Sequence, residues 1–271
     1  MHQIGLSSCG KILNEQLFAD YANAGIDAME ISLGGRDYKF LDYKALGAYA
    51  RTYGITLWSY HLPFQITDLS APHTDWRICA LEYFSELIKH ASDIGIRKFI
   101  AHPSTELPLN TKDRAERLFY AKDSLNQLAD IAARYDSEIC VEDLPRGCLG
   151  NCSDELLDLI SVNDKLRVCF DTNHLLSEDI PTFIRKVGNK IATVHVSDYD
   201  FTDERHWLPG EGDIKWNTLY ETLREVGYDG VWMYELGFKS NFRSRDLTCA
   251  DFVRNAKEIF AGKSLTVIEK K

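Results

Sequence analysis

Short runs rich in β-branched and aromatic residues alternate along the whole chain with amphipathic helical stretches. The 271 residues accommodate about eight such units of roughly 30 residues, as in a barrel of eight strands and eight helices. Some strand candidates, such as residues 167–170 and 191–194, are nearly apolar throughout, which is typical of a parallel sheet covered by helices. The pattern predicts a single (β/α)8 barrel, a TIM barrel, over residues 1–271.

Glycine and proline mark the ends of the predicted elements. Gly25, Gly54 and Gly95 each follow a helical stretch, and Pro63 and Pro103 each follow a strand. We predict strands at residues 2–7, 27–32, 55–61, 98–102, 138–142, 166–171, 191–197 and 230–235. We predict helices at residues 12–24, 42–53, 73–94, 112–135, 153–162, 180–187, 216–226 and 244–260. No linker interrupts the series, so one domain is expected.

An open, doubly wound sheet is the structural rival, because it also alternates strands and helices. Neither Gly-x-Gly-x-x-Gly nor Gly-x4-Gly-Lys-Ser/Thr follows any predicted strand. The sequence therefore lacks the phosphate-binding loops that mark many folds of that kind. This favours the barrel.

Side chains capable of metal binding or proton transfer stand at the C-terminal end of nearly every predicted strand. They are Glu30, His61, His102, Glu142, Asp171, His195 and Glu235. A single histidine or glutamate at a strand end is usually a structural residue. In a parallel barrel, however, all strand ends converge on one face, where the active sites of this fold lie. Seven such residues, each at the C-terminal end of a different predicted strand, indicate a functional site.

Three carboxylates and one imidazole of this set form the candidate metal site: Glu142, Asp171, His195 and Glu235. They suit Mn2+ or Mg2+ and can take Zn2+ or Co2+, so we expect one divalent ion. The alternative is a buried ion network, but the same strand ends supply no lysine or arginine to neutralise the carboxylates. His174 follows Asp171 by three residues and is either a further ligand or substrate contact, or a solvent-facing histidine.

Charge and composition narrow the functional classes. The net charge of −10 gives no general attraction to phosphate backbones or anionic lipid, which argues against nucleic-acid partners. The N-terminus lacks a signal-peptide pattern, and no apolar run approaches the length of a membrane span. The seven cysteines are scattered, and the spacing of Cys148 and Cys152 is not that of a usual zinc pair. We therefore expect a cytoplasmic protein with reduced thiols.

Five motifs at the predicted strand ends resemble those of one family. They are Val141-Glu142-Asp143, Phe170-Asp171-Thr172-Asn173-His174, Val194-His195-Val196-Ser197-Asp198, Pro209-Gly210-Glu211-Gly212 and Tyr234-Glu235. Together they resemble the xylose isomerase-like barrel superfamily, in the group of sugar phosphate isomerases and epimerases. That group is related to the ketose 3-epimerases and the zinc-dependent abasic-site endonucleases. The resemblance covers essentially the whole chain.

The resemblance implies roles for individual residues. In the ketose 3-epimerases the matching residues hold one divalent ion, which assigns as ligands Glu142, Asp171, His195 and Glu235. The two glutamates of that set also form the acid/base pair, so Glu142 and Glu235 are expected to be catalytic. A histidine after the Asp-x-x motif and an arginine ahead of the glycine loop contact substrate oxygens. Here these are His174 and Arg205.

The endonuclease branch of the superfamily uses a larger metal cluster. It has histidines after strands three and four and an Asp-x-His pair before the glycine loop. This chain has His61, His102 and His206, which we count among the substrate-binding candidates. It has Glu204 where that pair has aspartate.

Three functions follow as hypotheses. The leading one is metal-dependent isomerisation or epimerisation of a ketose, keto-inositol or related polyol through an enediolate. The second is a multinuclear zinc phosphodiesterase or abasic-site endonuclease, ranked lower because the loops at residues 33–39 and 63–71 are short and weakly basic. The third is a barrel that only binds sugar and uses the metal as a structural clip.

The expected partner is a small sugar or polyol, without nucleic acid or membrane. Trp207, Phe238 and Phe242 are expected near the catalytic face. They indicate a lid or a subunit contact of a homo-oligomer, with core packing as the equal alternative.

Overall fold

The computed structural model describes residues 2–33, 38–108 and 112–271. Its eight strands form one closed barrel in which each strand runs parallel to its sequence neighbours and the last pairs with the first. The strands are β1 (Ile4–Ser7), β2 (Ala28–Ile31), β3 (Thr56–His61), β4 (Lys98–Ala101), β5 (Glu138–Glu142), β6 (Arg167–Asp171), β7 (Ile191–Val196) and β8 (Trp232–Tyr234). The predicted (β/α)8 barrel is confirmed, and the open sheet is wrong.

One helix follows each strand. These helices are α1 (Glu15–Ala24), α2 (Tyr43–Tyr53), α3 (Thr74–Asp93), α4 (Arg114–Ala133), α5 (Ser153–Ile160), α6 (Ile180–Val187), α7 (Trp216–Glu225) and α8 (Cys249–Phe260). The main apolar core joins alternate strand residues to the helices and includes Phe18, Phe99 and Phe183. The barrel thus has the two-layered arrangement expected of strands that are covered by helices.

The alternation of side chains along each strand places the candidate site residues. Side chains two residues apart point to the same side of a strand. Cys140 and Cys169 belong to a small apolar cluster separate from the core under the helices. Glu142 and Asp171 follow them by two residues at the ends of β5 and β6, so they share the same side of the sheet. Apolar residues therefore lie beneath the polar cluster.

Two predicted helix starts are wrong. The first helix begins at Glu15 rather than at residue 12, because the Asn14 side chain accepts a hydrogen bond from the Leu17 amide and caps it. The last helix begins at Cys249 rather than at residue 244. The strands expected at residues 98–102, 191–197 and 230–235 each end one residue earlier in the structure.

Residues 34–37 of the loop at 33–39 lie outside the described residues. All seven cysteines are free, and Cys148 and Cys152 join no metal-binding cluster in the part of the chain that is described. No described helix is both long and apolar enough to cross a bilayer.

Candidate active site

The polar residues predicted at the strand ends come together at the C-terminal end of the barrel. Glu142, Asp171 and His195 are buried, whereas Glu235 and His102 are half-buried. A pocket of about 440 Å³ opens over them. Its volume lies within the range of about 300–1,000 Å³ that is common for small-molecule sites.

The predicted metal ligands form one compact cluster. The Nδ1 atom of His195 lies 2.9 Å from Oε1 of Glu142 and 2.9 Å from Oε2 of Glu235. Oδ2 of Asp171 is 3.9 Å from the same nitrogen. One ligand atom from each of the four residues lies within 4.8 Å of all the others. Ligands about 2.1 Å from an ion and at right angles are about 3 Å apart, so these spacings fit a metal centre.

The surroundings of these carboxylates also fit a cation. Oδ2 of Asp171 and Oε1 of Glu30 are buried and have no hydrogen-bond partner. Within the described residues, no lysine or arginine forms an ion pair with Glu142, Asp171 or Glu235. Buried carboxylates without basic partners are costly unless a positive charge is close.

Burial and the neighbouring histidines set the protonation of the cluster. Burial by itself raises the pKa of Glu142. His195 and His102 lower it by a larger amount, so that it lies well below the usual range. Burial also raises the pKa of Glu235, but His195 lowers it more strongly, and the resulting pKa is about 2. Burial raises the pKa of Asp171 to about 6. Burial lowers the pKa of His195, but Cys169 and the surrounding carboxylates raise it well above its ordinary value, so His195 is the main positive partner within the cluster.

The loop after β6 is held in place by its own backbone contacts. The Asp171 amide donates to Oδ1 of Asp143 at 2.7 Å, and the Asn173 amide donates to Oδ1 of Asp171 at 2.7 Å. Nδ1 of His174 lies 2.7 Å from the carbonyl oxygen of Asp143. Because Nδ1 of His174 contacts this backbone carbonyl, its Nε2 atom faces the cluster and lies 3.8 Å from Oδ2 of Asp171. The loop thus delivers His174 to the cluster.

Two further groups of ligand-type side chains flank the central cluster. In the first, Nε2 of His61 and Nε2 of His102 lie 3.3 and 2.8 Å from Oε2 of Glu142. The second contains His174, Glu204 and His206, with 3.1 Å between Nε2 of His206 and Oε1 of Glu204. Each group has metal-ligand spacing by itself. Four of the histidines named from the sequence line the pocket, namely His61, His102, His174 and His206, whereas His195 is buried beneath it.

Arg205 is the one predicted substrate contact that does not line the pocket among the described residues. Its Nε atom is 3.2 Å from Asp200, and its Nη2 atom donates to Thr202. Arg146, a few residues after β5, lines the pocket instead. In the sequence, Arg146 and Arg205 are the two arginines that could bind a substrate phosphate, with a surface charge as the alternative for each.

The glycine loop acts as a scaffold for the wall of the site. Oδ2 of Asp198 accepts hydrogen bonds from the Gly210 amide at 2.7 Å and from the Trp216 indole at 2.9 Å. Arg243 and Glu211 form a buried pair with two contacts of 2.7 Å. The loop follows His206 directly, so these contacts hold the backbone next to that histidine.

Fold and site together define a TIM barrel with a candidate metal centre at its catalytic face. The chain belongs to the xylose isomerase-like TIM barrel family, whose model matches residues 18–248. The family expected from the strand-end motifs is thereby confirmed.

Three comparisons show the range of this family. A D-psicose 3-epimerase of Ruminiclostridium cellulolyticum is 27% identical over 79% of this chain and 75% of its own length. A probable endonuclease 4 of Acholeplasma laidlawii is 28% identical over 63% of this chain and 64% of its own length, less than two thirds of that relative. The crystal structure of a D-tagatose 3-epimerase-like protein has a TM-score of 0.81 at 24% identity, covering 96% of this chain and 97% of that one. The structural match shows the shared fold.

Proposed function

We propose that this chain is a divalent-metal-dependent sugar isomerase or epimerase that acts on a ketose, keto-inositol or related polyol. The observation that carries the proposal is the meeting of Glu142 and Glu235 at one nitrogen of His195, each at 2.9 Å. Both glutamates line the pocket. Moving a proton off carbon and back requires proton-transfer groups beside the same substrate. The similarity to a D-psicose 3-epimerase supports this isomerase class.

One divalent ion would be held by four side chains: Glu142, Asp171, His195 and Glu235. Mn2+, Mg2+, Zn2+ and Co2+ are the candidates for this donor set. When bound, the ion polarises the substrate carbonyl and so lowers the barrier to loss of the neighbouring proton. The unpartnered, buried oxygen of Asp171 supports a cation at this place.

Glu142 and Glu235 are the proposed acid/base pair. One carboxylate accepts the proton beside the carbonyl, which leaves the enediolate of the sugar. The other takes up a proton from solvent and delivers it to carbon, and the first carboxylate later releases its proton to solvent. Return to the opposite face of the same carbon gives an epimer, and return to the neighbouring carbon gives an isomer.

The histidines of the pocket are the proposed contacts for substrate hydroxyl groups: His61, His102, His174 and His206. An imidazole can donate or accept a hydrogen bond, which suits a polyol. Phe64 stacks on His102 with ring centroids 4.3 Å apart and adds an apolar wall. Arg205 is not one of these contacts, because its guanidinium pairs with Asp200 instead.

Proton exchange in deuterated water tests this function. The metal-loaded protein is incubated with candidate ketoses and inososes, and NMR follows deuterium entering beside the carbonyl. We expect Glu142→Gln and Glu235→Gln each to slow exchange by about 10²–10⁴-fold, the usual contribution of a general acid or base.

Glu138→Gln is the matched control for these variants. Glu138 begins the strand that Glu142 ends, and it pairs with Lys98 at 3.0 Å, away from the pocket. The control should exchange at the parent rate. Full exchange in the Glu142→Gln, Glu235→Gln double variant would refute the mechanism. Sugar binding without exchange in the parent would favour the binding-only barrel.

The two flanking histidine groups favour a metal-dependent phosphodiesterase as the second candidate. Together with the central cluster, these groups could hold three ions. The similarity to a probable endonuclease 4 also supports a phosphodiesterase. The charge of the rim argues against it. Among the described residues lining the pocket, Arg146 is the only arginine or lysine, and it is paired with Glu106, Asp203 and Glu204. A phosphate backbone would therefore meet little free positive charge.

Metal counting and a nuclease assay separate the two candidates. We expect one ion per chain by elemental analysis and no incision of a DNA duplex that contains an abasic site. Three ions together with incision would assign the phosphodiesterase. The Glu138→Gln variant again controls for changes away from the pocket.

A further inference from the structure

A second groove lies beside the catalytic pocket. Its volume is about 610 Å³, and it runs between the loop after β3 and the first turns of α3. The lining combines aromatic, aliphatic and uncharged polar side chains, including Gln65, Ile66, Thr67, Trp76, Tyr83 and Thr105. The proposed catalytic residues do not line it, so the groove is distinct from the site described above.

The groove adjoins the catalytic pocket. Gln65 and Thr105 line both cavities. Thr105 also joins the two loops, since its hydroxyl donates to Oδ2 of Asp68 at 3.5 Å. Helices of this fold begin near the C-terminal ends of the strands that precede them, so Trp76 in the first turn of α3 lies at the catalytic face. A molecule held in the pocket could extend along this path.

Trp76 is unusually exposed for a tryptophan of this protein. Its side chain is 65% accessible, and Ile66 across the groove is 60% accessible. The other four tryptophans are buried or half-buried. Exposed apolar side chains that cluster beside a cleft mark ligand-binding grooves more often than isolated ones do.

The groove offers no free charge among its described residues. Asp68 is its only charged lining residue, and it is neutralised by Arg117 at 3.2 Å. Its other carboxylate oxygen accepts hydrogen bonds from the amide and the hydroxyl of Ser70. An aromatic face beside amide and hydroxyl groups suits a neutral sugar ring, which has apolar C–H faces and hydroxyl edges.

We propose that this groove is a subsite for a second, non-reacting sugar ring, so that the preferred substrate is a disaccharide or glycoside. Trp76 would stack against that ring while the reacting sugar occupies the catalytic pocket. The inference rests on the proposed function for the placement of the reacting sugar. Contacts to a remote ring add binding energy that a free monosaccharide cannot supply.

Equilibrium binding to the metal-loaded, full-length protein tests the subsite without turnover. Calorimetry compares D-fructose with trehalulose, turanose, leucrose and isomaltulose, which carry a glucosyl group on different fructose oxygens. We expect at least one disaccharide to bind about tenfold more tightly than fructose, the equivalent of about 1.4 kcal/mol. Trp76→Ala should remove that preference, and Trp76→Phe should keep part of it.

Ile78→Ala is the matched control. Ile78 is also exposed on α3, at 47%, but does not line the groove. It should leave the ratio of affinities unchanged. Equal affinities for fructose and all four disaccharides in the parent, or an unchanged ratio in Trp76→Ala, would overturn the subsite. Dissociation of a dimer by Trp76→Ala with unchanged sugar affinities would also overturn it and assign the groove to a second copy.

The test separates this inference from the proposed function. Trp76-dependent binding of a disaccharide without proton exchange would uphold the subsite and refute the isomerase. Proton exchange on free ketoses, with no preference for a disaccharide in binding, would support the isomerase and refute the subsite.

Discussion

His195 is oriented by a carboxylate outside the set of proposed metal ligands. Nε2 of His195 lies 2.9 Å from Oε2 of Glu30, which also accepts a hydrogen bond from the Ser59 hydroxyl at 2.8 Å. This contact occupies Nε2 and turns Nδ1 toward Glu142 and Glu235. A carboxylate in this position fixes the ring of a metal-binding histidine and raises its basicity.

Glu30→Gln should weaken metal affinity about 10–100-fold, the usual effect of losing such an outer contact. Glutamine keeps the size of the side chain but removes the charge that favours the required tautomer of His195. Competition with a fluorescent chelator measures the affinity. Glu138→Gln serves as the control, and an unchanged affinity in Glu30→Gln would show that Glu30 does not orient the ligand.

Gly212 is required by the close approach of two segments. A Cβ atom there would collide with the backbone oxygen of Tyr199 and lie 2.5 Å from Oδ1 of Asp198. Gly212→Ala should therefore lower the free energy of unfolding by about 1–3 kcal/mol, as for other overpacked sites. Urea titration measures the change. Gly237→Ala, where the nearest atom is 3.9 Å away, should stay within about 0.5 kcal/mol of the parent.

At the scale of elements, the start of α8 depends on one carboxylate. Thr248 and Asp251 form a reciprocal capping box, and Asp251 also binds Arg245 through two contacts of 2.7 and 2.8 Å. The antiparallel bridge between Arg243 and Lys270 holds the preceding residues in an extended form. The helix therefore begins after them, although the apolar pattern suggested an earlier start.

Asp251→Asn should destabilise the protein by about 1 kcal/mol at neutral pH, a typical value for a helix N-terminus. Hydrogen bonds from Arg245, followed by those of Thr248, hold the pKa of Asp251 well below its usual range. Because this pKa is lower in the folded than in the unfolded state, the ionised Asp251 stabilises the fold at pH values above its unfolded pKa of about 4. That stabilisation is lost as the pH falls below this value.

Urea titrations at several pH values measure that dependence. The difference between parent and Asp251→Asn should be constant from pH 6 to 8 and should shrink below about pH 4. A difference that does not change with pH would mean that the charge of Asp251 contributes nothing.

At the scale of the whole molecule, the candidate metal site connects half of the barrel. Its ligands come from β5, β6 and β7 and from the residue after β8. Segments that are far apart in sequence would thus share one ion. Their correct placement exists only in the folded chain, so metal binding and folding should be coupled.

Metal removal should therefore lower thermal stability. At a free metal concentration of 100 times Kd, binding adds about 2.7 kcal/mol, which corresponds to a rise of about 5–10 °C in Tm for a chain of this size. Scanning calorimetry with and without a chelator measures it. Asp171→Asn should abolish most of the shift, whereas Glu138→Gln should retain it. An identical Tm with and without metal would contradict a folded-state metal site.

The barrel and the residue types at its catalytic face could be predicted from the amino-acid sequence alone. Alternating strands and helices require parallel pairing, and side-chain alternation along β5 and β6 carries Glu142 and Asp171 to one side of the sheet. Both signals are local and periodic. They can therefore be read without knowing which distant residues meet.

The contacts between individual side chains could not be predicted in the same way, because they form between residues that are distant in sequence. Glu30 and His195 are 165 positions apart, and no local pattern encodes their pairing. Arg205 precedes the glycine loop as expected but turns to Asp200, while Arg146 lines the pocket. Loop conformations and the packing of distant segments set these contacts. Residue type and spacing predict that a side chain reaches the catalytic face, but its final partner depends on the whole folded chain.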